Sequence, residues 1–429
     1  MSAPGRSGYD GTRRIDPARD EAVRAPMIGL LGMLAAAATP HPLAFDFGTS
    51  GQGTPVARSR LYDKGGYGFE PGGTADAFLF SAAVPEGTYR VTVRFGDAKA
   101  AGTTTVKAEA RRLMLLAVPT KPGKFVERSF LVNVRTDALP PPPPTAPGGD
   151  AVRIDAKDRD GFAWDEKLTL EFLGAPKVAS IRIEPTKAPT IYLAGDSTVT
   201  DQYAEPAASW GQMLPAMLDD QIVVANHAKS GETLKSFLTS LRLDKILSTI
   251  QPGDWLFIQF GHNDQKSQWP QTFVDTAETY PAYLRAYIAE ARRRGAHPVL
   301  VTSPERRNFD ANGKIAGTMT EYAEAVRKLA AEQHVPLIDL NTDTKKIYEA
   351  IGPDLSPLLF MANGTDRTHN DNEGAWLLAS AIAERIRANI PELAPHVVMP
   401  HFDPAHPPLP SAIYIPKSVA YSAAKPAGN

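Results

Sequence analysis

The sequence predicts an α/β protein in which an all-β sandwich precedes a doubly wound parallel sheet. After Pro189, short continuous apolar runs alternate with helical patterns, which is typical of parallel strands covered by helices on both faces. Before that point, β-branched and aromatic runs alternate with Gly, Pro and Asp turns about every 8–12 residues, which favours an antiparallel sandwich. The change of pattern therefore predicts two domains of different class.

The strand-like runs of the first half are 77–80, 89–95, 130–134, 168–172 and 181–183. A proline-rich stretch interrupts them at 140–149. Because strand-like sequence resumes at 151–154, we interpret this stretch as an exposed loop, with an interdomain linker as the alternative.

The second half contains both kinds of element in alternation. Its buried-type strand runs are 191–194, 222–225, 255–260, 298–302 and 336–339. Its helical patterns are 210–218, 234–250, 281–294, 320–333 and 373–390. In open sheets of this kind, active sites lie beyond the carboxyl ends of the strands.

These patterns divide the chain into four predicted segments. They are a leader (1–43), a β-sandwich domain (44–187), a catalytic domain (188–395) and a proline-rich tail (396–429).

Composition excludes several classes of function. The 429 residues carry a formal net charge of −2 and no cysteine. No basic run is long enough to suggest a nucleic-acid groove. The absence of cysteine removes thiol catalysis, disulfides and cysteine-bound zinc, and the histidines form no metal-ligand spacing. We therefore expect no cofactor and no catalytic metal.

The apolar run 27–38 suggests export. Arg24 precedes it, and the small residues Ala36 and Ala38 suit a cleavage site. The run is too short to span a membrane, so we expect a secreted or periplasmic protein without a membrane anchor. A long polar stretch, residues 1–26, precedes this run and leaves two alternatives open. Either translation starts further downstream, or the segment is the N-terminus of a cytosolic protein.

Four short segments carry the chemistry, and each follows a predicted strand or precedes a helix. They are Gly-Asp-Ser-Thr at 195–198, Ser-Gly-Glu-Thr at 230–233, Gly-His-Asn-Asp at 261–264 and Asp-Arg-Thr-His at 366–369. The first three follow three successive strands of the predicted sheet. Because the carboxyl ends of parallel strands meet at one edge, we expect all four segments to converge there.

The residue types in these segments are those that acyl transfer requires. Ser197 supplies a hydroxyl nucleophile, and His369 is the base that removes its proton. Asp366, three residues earlier, can hold the imidazole in the required tautomer. The N–H groups of Ser197 and Gly231 and the amide of Asn263 can form an oxyanion hole. Taken singly, each residue also has an ordinary structural explanation, such as a cap or a turn.

The four segments resemble those of the SGNH (GDSL-like) hydrolase superfamily, which supply Ser, Gly, Asn and His in that order. The wider sequence around them resembles the rhamnogalacturonan acetylesterases, through Gly-Asp-Ser-Thr-Val-Thr at 195–200, Trp-Gly at 210–211, Phe-Gly-His-Asn-Asp at 260–264 and Arg-Arg at 306–307. The segments 45–48 and 66–69 are similar to the N-terminal sandwich of bacterial members. The resemblance implies a flavodoxin-like three-layer hydrolase domain and a galactose-binding-like sandwich.

The resemblance implies a serine carbohydrate esterase that removes O-acetyl groups from a pectic polysaccharide of the plant cell wall. We expect substrate contacts from His262, Trp210, Arg306 and Arg307, with a core position as the alternative for Trp210 and a solvated pair as the alternative for the arginines. His262 has the alternative of buttressing its turn. One position departs from the family pattern: Glu232 stands where members often carry arginine, which leaves the polysaccharide open. The oligomeric state is not predicted.

Three other functions stay open at this stage. A xylan acetylesterase or a lipolytic or thioesterase hydrolase would keep the same catalytic set. A glycan-binding protein with a vestigial esterase site would not need it, and the intact Ser, Gly, Asn, Asp and His set argues against that class.

Overall fold

The computed structural model describes residues 41–48 and 53–418. The predicted leader run 27–38 and the last residues of the tail lie outside these ranges. The strands are β1 (Leu43–Asp46), β2 (Thr54–Pro55), β3 (Tyr67–Phe69), β4 (Ala77–Ala83), β5 (Gly87–Phe95), β6 (Gly102–Ala108), β7 (Arg112–Thr120), β8 (Val126–Val134), β9 (Lys167–Ala175), β10 (Val178–Thr186), β11 (Thr190–Gly195), β12 (Val223–Asn226), β13 (Trp255–Gln259), β14 (His297–Val301) and β15 (Leu337–Ile338). The helices are α1 (Ala156–Arg159), α2 (Trp210–Met213), α3 (Leu234–Thr239), α4 (Arg242–Thr249), α5 (Thr279–Arg293), α6 (Thr320–Gln333), α7 (Leu340–Leu355) and α8 (Asn372–Asn389).

Two mainly antiparallel sheets form the first half of the described chain. One has the strand order β2-β1-β10-β5-β8 and the other β3-β4-β9-β6-β7. Their apolar side chains form one core, in which the rings of Phe45 and Phe80 meet edge to face at 5.0 Å. Core side chains recur at every second residue of the longer strands, as at Tyr89, Val91, Val93 and Phe95 of β5, and this alternation supplies the shared inner layer.

The second half contains a parallel sheet with the order β12-β11-β13-β14-β15. Its two faces bury different side chains: Leu193 and Phe257 belong to one core, and Tyr192 and Leu256 to the other. Helices therefore cover both faces, and the predicted fold class is confirmed. No helix within 41–48 and 53–418 is both long and apolar enough to cross a membrane.

The strand order reverses at β11, and this reversal positions the site. The chain passes from β11 to β12 on one side and then to β13 on the other. The loops that leave these strands diverge from one another, so a crevice opens beyond the carboxyl end of β11.

The helices differ from the predicted pattern where the backbone interrupts them. The predicted helix 234–250 is two helices, because Leu241 between them adopts a left-handed φ of 62°. The predicted helix 210–218 is α2 followed by a 3₁₀ turn that contains Pro215, which has no N–H to continue the α-helical bonding. Helix α7 was not predicted; Asp339 caps its start by accepting from the N–H of Thr342.

The proline-rich stretch is an exposed loop, as preferred from the sequence. An antiparallel bridge between Ala138 and Ala151 closes its base, and the N–H of Leu139 donates to the carbonyl of Asp150 at 2.8 Å. The described part of the tail is irregular and has one 3₁₀ turn at Pro410–Ala412.

Candidate active site

Ser197 lies on a tight turn directly after β11. The carboxylate of Asp196 accepts from both the N–H and the hydroxyl of Thr198, each at 2.9 Å, which closes the turn. At Gly195, an added Cβ would lie 2.5 Å from the side chain of Val199, so only glycine permits this turn. The turn thus presents the Ser197 hydroxyl at the crevice beyond β11.

His369 and Asp366 extend from Ser197 in a line of hydrogen bonds. Nε2 of His369 lies 2.9 Å from the Ser197 hydroxyl, and Nδ1 lies 2.8 Å from the Asp366 carboxylate. The other Asp366 oxygen accepts from the N–H groups of Thr368 and His369 at 2.7 and 2.9 Å. Burial would raise the pKa of Asp366, but these N–H groups and the imidazole bring it below its ordinary value. Asp366 is therefore held as a carboxylate.

Gly231 and Asn263 follow the two strands that flank β11. Gly231 is exposed and has a φ of 88°, and an added Cβ there would meet open space, so the position needs glycine for its backbone angle. Among the hydrogen bonds of the described residues, the N–H groups of Ser197 and Gly231 donate to no protein acceptor. Both donors are therefore free for a substrate oxyanion.

The orientation of the Asn263 amide is set by two neighbours. Its nitrogen donates to the carbonyl of Glu232 at 3.1 Å, and its oxygen accepts from Nζ of Lys266 at 2.8 Å. An ammonium can only donate and a carbonyl can only accept, so this assignment of nitrogen and oxygen is fixed. The second N–H of the amide remains available for the oxyanion. Lys266 was not identified from the sequence.

His262 lies beneath the serine turn. It is buried, and its Nδ1 is 3.5 Å from the free carboxylate oxygen of Asp196, which is an electrostatic contact too long and poorly aligned for a hydrogen bond. Burial would raise the pKa of Asp196, but His262 and the Thr198 contacts bring it below its ordinary value. These contacts favour the buttressing interpretation of His262 over a substrate contact.

The prediction that Trp210 contacts the substrate is wrong. Trp210 is completely buried, and its indole N–H donates to the side chain of Gln259 at 2.8 Å. The same Gln259 donates to the hydroxyl of Thr198 at 2.6 Å. Trp210 therefore supports the turn that carries Ser197 from inside the core.

Arg306 and Arg307 make internal contacts around the site. Arg307 donates to the carbonyl of Gly364 through its side chain and to that of Arg367 through its backbone, so it holds the loop of Asp366 and His369. Arg306 donates to the sulfur of Met319 at 3.1 Å, and its burial lowers its pKa. Contact of either arginine with substrate stays a prediction.

Glu232, the position that departs from the family pattern, is engaged within the protein. Its carboxylate accepts from the hydroxyl of Ser236 and lies 3.9 Å from Nε of the buried Arg242. Arg242 in turn donates to Asp158 at 2.6 Å. The Glu232 side chain therefore belongs to a buried charge network.

The β-sandwich contributes support that the sequence analysis missed. In the turn between β6 and β7, Arg111 donates to the carbonyls of Gln202 and Ala207 at 3.0 and 2.8 Å. Gln202 donates to the carbonyl of Ser197 at 2.7 Å. The sandwich therefore holds the segment that follows the serine turn. The signal in the sequence is a charged cluster, Glu-Ala-Arg-Arg at 109–112, at the turn between two strand-like runs.

Buried ion pairs join the same two parts of the chain. Arg112 and Arg135 of the sandwich lie 3.4 and 3.5 Å from the carboxylate of Asp201, four residues after Ser197.

Within the described residues, no group of three or more His, Asp or Glu side chains is arranged to hold a metal ion.

Comparison with known proteins agrees with this geometry. Residues 193–377 match the GDSL-like Lipase/Acylhydrolase family. The chain is 41% identical over 221 residues to rhamnogalacturonan acetylesterase RhgT of Bacillus subtilis (strain 168), covering 48% of this chain and 94% of the relative. It is 28% identical over 384 residues to the uncharacterized esterase YxiM of the same organism, covering 82% and 92%. An alignment of that length also includes much of the β-sandwich.

Among solved structures, the chain is similar to Axe2, an acetylxylan esterase from Geobacillus stearothermophilus. The TM-score is 0.36 at 20% sequence identity, and the match covers 46% of this chain and 94% of Axe2.

Proposed function

The chain belongs to the GDSL-like lipase/acylhydrolase family and is a carboxylic ester hydrolase, and we propose that it removes O-acetyl groups from rhamnogalacturonan, a pectic polysaccharide. The observation that carries this proposal is the line of contacts from Ser197 through His369 to Asp366, at 2.9 and 2.8 Å. This line provides a nucleophile with its base and with the acid that orients the base.

In the first half-reaction, the oxygen of Ser197 bonds to the acetyl carbonyl carbon while its proton passes to Nε2 of His369. The negative charge that develops on the carbonyl oxygen is held by the free N–H groups of Ser197 and Gly231 and by the Asn263 amide. The bond to the sugar oxygen then breaks, and His369 returns its proton to that oxygen. Acetyl-serine and a free sugar hydroxyl result.

In the second half-reaction, His369 takes a proton from water as the water oxygen attacks acetyl-serine. The same donors hold the second oxyanion, and its collapse releases acetate and restores the Ser197 hydroxyl. Asp366 keeps its charge throughout, because its pKa lies below the ordinary value, and it stabilises the imidazolium that forms in each half.

The choice of rhamnogalacturonan is supported by the similarity to RhgT. The match covers 94% of RhgT, and the name of that protein states the substrate. Acetate release should be measured on acetylated rhamnogalacturonan, acetylated homogalacturonan, acetylated xylan and long-chain p-nitrophenyl esters. We expect the highest kcat/KM on rhamnogalacturonan. A higher value on xylan or on the long-chain esters would contradict the proposed substrate while leaving the esterase chemistry intact.

We also propose that the protein is exported, on the basis of the apolar run 27–38 and the small residues Ala36 and Ala38. Mass spectrometry of the protein from the extracellular or periplasmic fraction should give an N-terminus just after this run. A full-length chain confined to the cytosol would contradict export.

A further inference from the structure

Trp269 presents an exposed indole close to the oxyanion residue Asn263. Two successive turns link them, with the N–H of Lys266 donating to the carbonyl of Asn263 and that of Trp269 to the carbonyl of Lys266, both at 3.1 Å. The exposed fraction of Trp269 is 53%, whereas Trp210 is fully buried. A large apolar ring that stays in solvent at the rim of a site is a natural surface for a ligand ring.

One ammonium group lies beside this ring, and a second contacts the residue that follows it. Nζ of Lys266 is 5.2 Å from the centroid of the Trp269 ring, and Nζ of Lys235 donates to the carbonyl of Pro270, the next residue, at 3.1 Å. Neither lysine forms an ion pair with a carboxylate anywhere in 41–48 and 53–418. Each ammonium has three donors, and the contacts found here use one from each. Two donors of each ammonium group therefore have no acceptor within the described chain and are available to a ligand carboxylate.

We propose that Trp269, Lys266 and Lys235 form a uronate subsite, in which a uronic acid ring of the polysaccharide stacks on the indole and its carboxylate binds the two ammonium groups. The inference rests on the proposed function, and it names the chemical class of sugar ring that this surface binds. Lys266 contacts the oxyanion residue and the subsite together, so a uronate bound there lies beside the reacting ester.

The charge at the subsite selects an acidic ring over a neutral one. A neutral sugar can stack on Trp269 but leaves both ammonium groups without a counter-charge, whereas a uronate supplies it. The ion pairs would form at the surface, so each raises the affinity by at most roughly fivefold and weakens as salt screens it. Stacking on the indole is apolar and does not depend on salt.

The test measures binding, so that it does not depend on turnover. The Ser197→Ala protein is titrated by calorimetry with oligogalacturonate, and separately with a neutral xylo-oligosaccharide of the same length. In this background, Trp269→Ala should raise the Kd for oligogalacturonate on the order of tenfold. Lys235→Met should raise it roughly two- to fivefold at low salt and leave the neutral sugar unaffected.

The matched controls are Tyr414→Ala, an exposed aromatic residue of the C-terminal segment, and Lys121→Met, an exposed lysine of the sandwich. Both should bind oligogalacturonate like the parent. Lys266 is left unchanged in this test because it also orients Asn263.

A Kd for oligogalacturonate that Trp269→Ala and Lys235→Met leave unchanged, or that exceeds the Kd for the neutral sugar, would overturn the uronate subsite. That result is distinguishable from failure of the proposed function, which would show as absence of acetate release from acetylated rhamnogalacturonan by the wild-type protein. Uronate binding weakened as expected in both variants, with acetate released only from xylan, would support the subsite and refute the proposed substrate.

Discussion

The hydroxyl of Ser197 lies 2.9 Å from Nε2 of His369, although 172 positions separate the two residues in the chain. Asp366 accepts at Nδ1 of the same ring, so the proton on the imidazole belongs on Nδ1 and Nε2 is free to accept the serine proton. The fold thus sets the direction of proton transfer before any substrate binds.

Ser197→Ala should abolish ester hydrolysis without unfolding the protein. One small hydroxyl at the crevice adds little to packing, but without it no acetyl-enzyme can form. Turnover of p-nitrophenyl acetate and labelling by a fluorophosphonate probe both measure this loss. Ser411→Ala, which removes an exposed serine hydroxyl of the tail, is the control and should keep both signals. Labelling of the Ser197→Ala protein would show that another residue is the nucleophile.

Asp366→Asn should reduce kcat on the order of 10²–10⁴-fold, because the amide favours the wrong tautomer and no longer stabilises the imidazolium. A matched control exists in the tail, where Asp403 and His406 have the same spacing and a contact of 2.7 Å. That pair is exposed and no serine lies opposite it in the described chain, so Asp403→Asn should leave kcat unchanged. Equal losses in the two variants would contradict the assigned roles.

The pH profile follows from the same pair. The imidazole of His369 must be neutral to accept the serine proton, so kcat/KM should rise from acid towards neutral pH. The pKa of Asp366 is lowered, so this carboxylate stays ionised until the pH falls below its ordinary range and does not contribute to the rise. A wild-type profile that is flat from pH 5 to about 8 would contradict a histidine base.

Asn263→Ala should reduce kcat about 10²–10³-fold with little change in KM, because the amide donates to a charge that exists only in the transition state. Lys266→Met should lower kcat on p-nitrophenyl acetate by less, since the amide remains but loses the partner that fixes its orientation. Lys266→Arg restores a donor and should recover part of the loss. A full kcat in Asn263→Ala would remove Asn263 from the oxyanion hole.

The sequence was sufficient to predict the fold class and to select residues that the structure brings together at one edge. Short β-branched and aromatic runs separated by regularly spaced turns indicated the sandwich. Continuous apolar runs alternating with helical patterns indicated the parallel sheet. The meeting of Ser197 with His369 and Asp366 followed from the rule that strand ends share an edge. The Asp-x-x-His spacing alone would not suffice, since 403–406 has it too.

Other features depend on tertiary packing that no local pattern encodes. Trp210 and Trp269 both have an aromatic ring on which a sugar could stack, but Trp210 lies in the core and Trp269 is exposed. Only the surrounding packing distinguishes the two. The pairing of Asp201 with Arg112 and Arg135 joins the parallel-sheet half of the chain to the β-sandwich. Leu241 interrupts a continuous helical pattern through a backbone angle that leucine rarely adopts.

Asp201→Asn tests how far the sandwich stabilises the serine segment. Asp201 is 2% exposed, and its loss of charge leaves Arg112 and Arg135 buried without that anion. The free energy of unfolding should fall by about 3 kcal/mol, measured by urea titration. Asp220→Asn is the control, because its ion pair with Arg90 is partly exposed and contributes less than about 1 kcal/mol. Similar small losses in both would show that the buried pairs do not stabilise the contact between the sandwich and the serine segment.

Asp264→Asn should make stability less dependent on pH. Burial raises the pKa of Asp264 to about 8, with the N–H of Leu234 opposing the shift and the nearby Asp196 charge adding to it. Between its ordinary pKa of 3.8 and about 8, the folded protein holds a proton that the unfolded chain releases. Each rise in pH through that window therefore favours unfolding, by at most about 1.4 kcal/mol per unit.

The asparagine variant is neutral at every pH and keeps an oxygen that can accept from the N–H of Leu234, as Asp264 does at 3.0 Å. Urea unfolding from pH 5 to about 9 should show the wild-type protein losing stability relative to the variant as pH rises, with the gap ceasing to grow above about pH 8. Parallel stability curves for the two proteins would mean that Asp264 is already ionised in the folded state. In that case the folded protein would hold two buried negative charges close together, on Asp264 and Asp196.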